Sequence, residues 1–532
     1  MFVPYQCCIK QYEDYYLNQA GNGLSYYQGQ SFQKGYGIGG WFKRLFRTAL
    51  PFISRGAKSV GKEVLRTGTQ IATDLLEGQN FQESAERRTK ETGKKLAKQA
   101  IKKADDMLDS PECAKSELNL FTLPPTQTVI EKGHWVQFHP IANVSDGGPI
   151  EFLVSGSGEE YLDLSQTLLQ VRAKILKSDG KVLTAEDKVG PVNLFLHSLF
   201  SQVDVSLNGR NISSSNNTYA YRAMIETLLN HGYDSKTSQL TSEIYYKDTA
   251  GHFNIFDESS ATPNKGFNER ASLFKNSATV DMIGRLHVDI FNQDRLLLNL
   301  VDLKIKLIRS KPEFCLMGNE NYKISFDHVS LFIRKVRLNP GVLIGHAKAL
   351  EKTTAKYPID RVSCKVFSIP QSSYSFVQDN VFSGQMPKRL VLACVDNDAF
   401  NGNYIKSPFE FKHYHMNFVG VYVDGQPMPH QPLELDFEKE NFIRAYQNLF
   451  LNSEGLYLSR TEFSKGYTLL LFDLSPDLCD GEHFNLIRHS NLRIELKFNK
   501  ALEQTVSLIV FAEFESIIEI NKTRNVLYDF GN

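Results

Sequence analysis

The chain is poor in cysteine and tryptophan, has no long apolar run and has no net charge. Its seven cysteines, Cys7, Cys8, Cys113, Cys315, Cys364, Cys394 and Cys479, are scattered, odd in number and free of CxxC spacing. That pattern excludes a disulfide framework and a thiolate zinc site, and it reads as reduced thiols inside a cell. No basic-then-apolar leader is recognisable, so no secretion is expected. No run of about 18 apolar residues occurs, so no transmembrane helix is expected. GxSxG, HExxH and P-loop motifs are missing as well. The sequence therefore offers no catalytic residue, metal ligand set or cofactor, and no enzyme is expected.

The balance of 60 Lys+Arg against 60 Asp+Glu hides an asymmetry. Residues 34–103 hold 16 basic against 6 acidic side chains, a net of +10, which leaves 44 against 54, a net of −10, elsewhere. A basic arm on an acidic body points to a polyanion or an anionic membrane as the arm's partner. Residues 1–40 are rich in Tyr, Gln and Gly and read as disordered. Gly35 to Gly40 match GxGxxG, but no strand precedes them, so a hinge is the better reading. Over 41–77, Phe42, Leu45, Ala49, Ile53, Ala57, Val60 and Val64 trace one helical stripe beside basic side chains. Pro51 interrupts it. The residues expected to meet DNA or a membrane are Trp41, Phe42, Lys43, Arg44, Arg47, Arg55, Lys58, Lys62 and Arg66. A helix packed on the body is the alternative. A second polar helix is expected over 82–108, ending in a lysine cluster.

From about residue 116 the apolar period changes to two. Val171, Ala173 and Ile175 alternate with Arg172 and Lys174, and Leu492, Ile494 and Leu496 alternate with Arg493 and Glu495. These are antiparallel strands buried on one face. Asp146-Gly147, Asp179-Gly180, Asn208-Gly209 and Asp424-Gly425 supply turns.

The chain also repeats itself. Gly190-Pro191 to Asn208-Gly209, then Tyr221-Arg222-Ala223, is matched by Ser407-Pro408 to Asp424-Gly425, then Ile443-Arg444-Ala445. Leu286–Phe291 before Val301–Leu307 is matched by Leu469–Leu474 before Asn491–Lys497. Each copy closes on a last apolar strand, Val329 to Val336 and Val506 to Phe514. An ordered recurrence implies two copies of one β domain. The expected fold is mainly β: two tandem eight-stranded antiparallel jelly rolls behind a largely helical or disordered basic arm. The expected segments are 1–40 (disordered), 41–111 (arm), 112–340 (first jelly roll) and 341–532 (second jelly roll), with an insertion near 210–280.

Two weak constellations remain. His413-Tyr414-His415 sets two imidazoles on one strand face without a recognisable third ligand. Asp396-Asn397-Asp398 resembles part of a calcium loop but lacks its Gly and distal Glu, and reads as a turn.

Several long runs carry a family resemblance: Lys115–Leu118 to Pro124–Thr128, Gly148–Phe152, Tyr161–Leu164, Val189–Asn193 to Asn208-Gly209, and Tyr245–Gly251. Together these resemble the double-jelly-roll major capsid proteins of Polinton/Maverick elements and adintoviruses, relatives of adenovirus hexon. The likeness spans about 115–532. It implies a self-assembling homotrimer, a pseudo-hexagonal capsomer and an icosahedral capsid lattice. Penton and minor capsid proteins would be partners. Virions would assemble inside the host cell, in the nucleus. Gly35–Phe42, Leu45–Arg47, Ala49–Pro51, Arg55–Lys58 and Val60–Glu63 are similar to adenovirus-type minor capsid or core proteins of the same elements. That likeness implies contact with packaged double-stranded DNA or a membrane. Such segments usually occur as separate proteins, so a fusion, a cleaved precursor and a join of two genes all stay open. The alternative function is a tandem jelly-roll protein that binds or processes glycans.

Overall fold

A computed structural model describes residues 126–532, except 145–146, 214–215, 383, 430, 452–454, 479–482 and 530–532. Thr128–Asn532 pack into one compact body. In its first half run β1 (Ile130–Phe138), β2 (Ile150–Val154), β3 (Glu160–Lys177), β4 (Val189–Pro191) and β5 (Phe200–Leu207). They are followed by β6 (Arg210–Asn211), β7 (Val280–Arg285), β8 (Leu303–Arg309), β9 (Leu316–Gly318) and β10 (Tyr322–Leu338). Two antiparallel sheets form, β1-β10-β3-β7 and β2-β8-β5-β6, with β4 and β9 as a separate pair.

The second half contributes β11 (Ala355–Ile369), β12 (Ser375–Gln378), β13 (Arg389–Asp396), β14 (Met416–Val423) and β15 (Gln426–Pro427). Then come β16 (Leu433–Glu434), β17 (Leu470–Asp473), β18 (Leu492–Phe498), β19 (Val506–Ile520) and β20 (Val526–Tyr528). Its sheets are β11-β19-β13-β17 and β12-β18-β14-β15, with β20 added to β19 and β16 to β14. Strand for strand, this is the order of the first half. The fold is a double jelly roll, mainly β, as the repeat implies.

The duplication reaches single hydrogen bonds. Asn208-Gly209 and Asp424-Gly425 each form a two-residue hairpin loop with both residues at positive φ. That is the turn whose twist suits a right-handed hairpin. In the first copy the Asn208 N–H donates to the Asp302 carbonyl (2.9 Å), and the Asp302 N–H donates to Asn208 Oδ1 (2.7 Å). In the second the Asp424 N–H donates to the Asn491 carbonyl (3.0 Å), and the Asn491 N–H donates to Asp424 Oδ1 (2.9 Å). Each tip is thereby tied to the residue that precedes β8 or β18.

Some expected details shift. The strand equivalent to β17 is β7, which ends at Arg285, so Leu286–Phe291 follow the strand and run into a 3₁₀ turn at Asp289–Asn292. The segment between the halves is a helix, Pro340–Leu350. Asn339 accepts from the Gly341 N–H and Pro340 sits in the first turn, so the helix starts where β10 ends.

The buried residues form two cores, and each borrows from the other half. Tyr357, Ile359, Ile518 and Ile520, at one end of the paired β11 and β19, pack in the core of the first barrel. Val362, Cys364 and Val506–Phe514, further along the same strands, pack in the second. In return Val192, Leu194, Met224, Leu228, Tyr245 and Phe267 of the first half lie in the second core. Apolar burial of this kind, roughly 25 cal/mol per Å², joins the barrels more firmly than a linker would.

Candidate functional site

The seam between the barrels is built mainly by the chain between β6 and β7. The Lys265–Leu273 helix in it starts at Asn264, whose side chain accepts from the Phe267 N–H. Gly266 presses against the preceding loop; a Cβ there would lie 2.3 Å from the Lys247 carbonyl oxygen, so only glycine fits. This approach brings Arg270, 1 % exposed, onto the Tyr245–Gly251 run. Arg270 Nη2 lies 2.7 Å from Asp248 Oδ1. Its Nε donates to the Pro191 carbonyl (2.9 Å) and Nη1 to the Tyr246 carbonyl (2.5 Å). Asn264 Nδ2 donates to the same Asp248 oxygen (2.8 Å). The Asp248 carbonyl then accepts from the Tyr467 hydroxyl of the second barrel (2.8 Å). A buried ion pair with its remaining valences filled is costly to break, because removing one partner strands the other.

A second buried network lies on the Tyr219–Asn230 helix, nearly all of whose residues are buried. Arg222 bridges Glu226 one turn on (Nε to Oε1, 2.8 Å) and Asp289 beyond β7 (Nη2 to Oδ1, 2.6 Å). Asp289 Oδ1 also accepts from the Val362 N–H on β11 (3.1 Å). Asn216 Nδ2 donates to the Cys364 carbonyl on the same strand (2.7 Å). Burial opposes the charge on Glu226, but Arg222 and His287 outweigh it and lower its carboxyl to about 2. These groups orient the barrels and offer no reacting centre.

The nine arm residues Trp41, Phe42, Lys43, Arg44, Arg47, Arg55, Lys58, Lys62 and Arg66 lie outside the described residues, as do Cys7, Cys8, Cys113 and Cys479. Cys315, Cys364 and Cys394 are free and buried. Burial pushes the Cys364 and Cys394 thiols up to about 12, which makes them inert packing groups.

His413 and His415 are not on a strand face. They sit in the turn before β14, with Tyr414 and His415 at positive φ. The His413 ring stacks on Phe437 at 4.0 Å and its Nδ1 accepts from the His415 N–H (3.0 Å). Burial lowers His413 to about 4, so it stays neutral near pH 7. Asp396 closes β13, and Asn397–Asn401 form a short helix where a turn was expected. Lys412 and Lys406 approach Asp396 Oδ2 at 2.9 and 3.4 Å. Ammonium groups thus take the place a cation would need.

Sequence reasoning picked out the Tyr245–Gly251 run and the Tyr221-Arg222 repeat but not their partners Arg270 and Asp289. The available signal for Arg270 was a lone arginine one helical turn after the glycine of an otherwise polar helix. On the surface, Phe484, Leu486 and Ile487, between β17 and β18, expose large apolar side chains, Leu486 to 90 %. Among the described residues no helix is long and apolar enough to cross a membrane.

This fold and seam define the class: two jelly rolls with one strand order in their main sheets, fused through shared cores. No protein-family model matches the chain. A chain in the structure of the Sputnik virophage aligns with a TM-score of 0.56 at 14 % identity, covering 80 % of this chain and 92 % of that one. The Faustovirus major capsid protein aligns at TM-score 0.49 and 10 % identity, over 77 % and 94 % of the two chains. The mavirus major capsid protein aligns at TM-score 0.47 and 11 % identity, over 79 % and 95 %. In sequence, the chain is 28 % identical over 431 residues to the uncharacterized protein F54H12.2 of Caenorhabditis elegans. That match takes in 76 % of this chain and 99 % of the relative, so about a quarter of this chain has no counterpart there.

Proposed function

We propose that the chain is a major capsid protein of a virus or virus-like element. Its role is structural, not enzymatic. The carrying observation is the pair of jelly rolls with one strand order, joined by shared cores and by the bonds from the Tyr467 hydroxyl to the Asp248 carbonyl and from the Val362 N–H to Asp289. Three such chains give six similar barrels, which is the arithmetic of a pseudo-hexagonal capsomer. A closed ring of three satisfies every contact it makes. The likeness to the Sputnik virophage chain supports the fold on which this rests. The exposed Phe484, Leu486 and Ile487 supply apolar area suited to a subunit contact.

The finer parts of the reading follow from the sequence. The resemblance of the runs at Gly148–Phe152, Val189–Asn193 and Tyr245–Gly251 supports a Polinton/Maverick–adintovirus origin. The basic arm, with a net of +10 over residues 34–103, faces packaged double-stranded DNA or a membrane and binds DNA by displacing counterions. The capsid lattice, with penton and minor capsid proteins, is the expected set of partners, and the virion, assembled in the host nucleus, is the expected location.

The test is the native mass of the full chain by light scattering, at low and high salt. A trimer supports the reading. Leu486→Asp with Ile487→Asp should shift it toward monomer without changing the melting temperature by more than a degree or two. A monomer at every concentration and salt would overturn the reading and turn attention to glycan binding.

A further inference from the structure

Three side chains far apart in sequence converge where the insertion meets the first barrel. His197 lies on the short Phe195–Ser198 helix and is fully buried. Glu243 ends a 3₁₀ turn, Gln239–Glu243, and is also buried. His287 stands two residues past β7 and is half-buried. One ligand atom from each lies within 4.8 Å of the other two. We propose that His197, Glu243 and His287 form a zinc site that staples the insertion to the first barrel.

The geometry meets the demands of such a site. His197 Nε2 and Glu243 Oε2 are 3.2 Å apart. Adjacent donors around a tetrahedral zinc with bonds of about 2.0–2.1 Å stand roughly 3.3 Å apart. The second nitrogen of each imidazole is already held. His197 Nδ1 lies 2.9 Å from the Tyr219 hydroxyl, and His287 Nδ1 lies 2.7 Å from Glu226 Oε2. A carboxylate on Nδ1 favours the tautomer with its proton there and leaves the Nε2 lone pair for a metal. Arg222 in turn fixes Glu226 (2.8 Å). The rings of His197 and His287 meet edge to face with their centroids 4.6 Å apart. Gly284 on β7 leaves the space that the Glu243 side chain fills; a Cβ there would lie 2.5 Å from Glu243 Oε1. Two imidazoles and one carboxylate are a donor set that suits zinc. Water supplies the fourth position. His231, at the end of the Tyr219–Asn230 helix, lies within electrostatic reach of Glu243 and His287.

Without metal the same groups form an ordinary hydrogen-bonded pair, in which His197 Nε2–H donates to Glu243. Zinc at Nε2 would require the other tautomer of His197, with that proton moved to Nδ1 and donated to the Tyr219 hydroxyl. The ion would join the barrel to an insertion that carries the helix between the two cores, and so act on the orientation of the barrels.

The experiment uses the full chain, stripped with a chelator and titrated with Zn²⁺ by calorimetry. One ion per chain is expected, with a rise of a few degrees in melting temperature at hundredfold excess over Kd. Co²⁺ should give the intense visible bands of a tetrahedral site. Glu243→Gln keeps shape and hydrogen bonding, and should lower affinity at least tenfold while the metal-free melting temperature stays within a few degrees. His287→Ala should do the same if it folds. No stoichiometric binding, or binding unchanged in both variants, would overturn the proposal. Loss of the site with the trimer intact would leave the capsid reading standing, so the two fail separately.

Discussion

The two barrels share a strand order, a hairpin and a helix after the hairpin, yet they use the helix differently. In the first barrel Tyr219–Asn230 runs three turns and buries Arg222 and Glu226. In the second, Ile443–Asn448 is half as long and leaves Arg444 exposed, its Nη2 donating to the Gln431 carbonyl (2.7 Å). The same arginine in the same repeat thus sits in two dielectric environments. A duplicated frame keeps what its own hydrogen bonds require, such as the turn, and is free to alter the rest. Here the first copy has given its long excursion to the seam.

The sharpest break of this comparison is to remove the arginine from each copy. Arg222→Ala should cost about 3–5 kcal/mol, because Asp289 loses its ion-pair partner and Glu226 keeps only His287. Arg444→Ala should cost under about 1 kcal/mol, since solvent replaces its carbonyl contacts. Urea denaturation of the two variants measures both. Equal losses would mean that the buried network contributes nothing beyond an exposed arginine.

The second break is by pH, and it acts through Glu226. Its carboxyl in the folded chain is lowered from 4.5 to about 2 by Arg222 and His287, against burial. A depressed acid stabilises the fold above its unfolded pKa and loses that contribution as pH falls through the folded value. The window is therefore from about pH 4.5 down to about 2, and the contribution at stake is on the order of 3 kcal/mol. Glu226→Gln should flatten the melting-temperature profile in that window while lowering stability at pH 7. A profile as steep as the parent's would assign acid sensitivity to other carboxylates.

What the sequence showed follows from the range of the forces involved. Asn208-Gly209 and Asp424-Gly425 were legible because a two-residue hairpin needs positive φ at both positions and few residues supply it. The alternation of Leu492, Ile494 and Leu496 was legible because one face of β18 is buried. The borrowing of Tyr357 and Ile518 by the first core was not: the sequence marks the last strand only from Val506 to Phe514, and no local pattern marks which barrel each end of β11 and β19 enters. The Arg270–Asp248 and Arg222–Asp289 pairs, and the approach of His197, Glu243 and His287, depend on three-dimensional neighbours with no fixed spacing. His413 and Asp396 erred the other way: their spacing hinted at ligands, while a stacking Phe437 and two lysines had claimed them.

The smallest expected effect tests the equivalence itself. Gly209 and Gly425 have φ of 78° and 81°, and an added Cβ at either would meet no atom within 4 Å. Gly209→Ala and Gly425→Ala therefore carry no steric clash, only the cost of a left-handed backbone, about 1–2 kcal/mol. Both hairpin tips hold the same two hydrogen bonds to the residue before β8 or β18, so the two losses should agree within about 0.5 kcal/mol. The Asn208 side chain also donates to the Arg524 carbonyl (2.7 Å), a contact that ties the first tip to the second half of the chain. A larger loss at Gly209 would show that this extra bond makes the first hairpin part of the seam. A larger loss at Gly425 would break the equivalence of the two copies at the one place where their geometry is most alike.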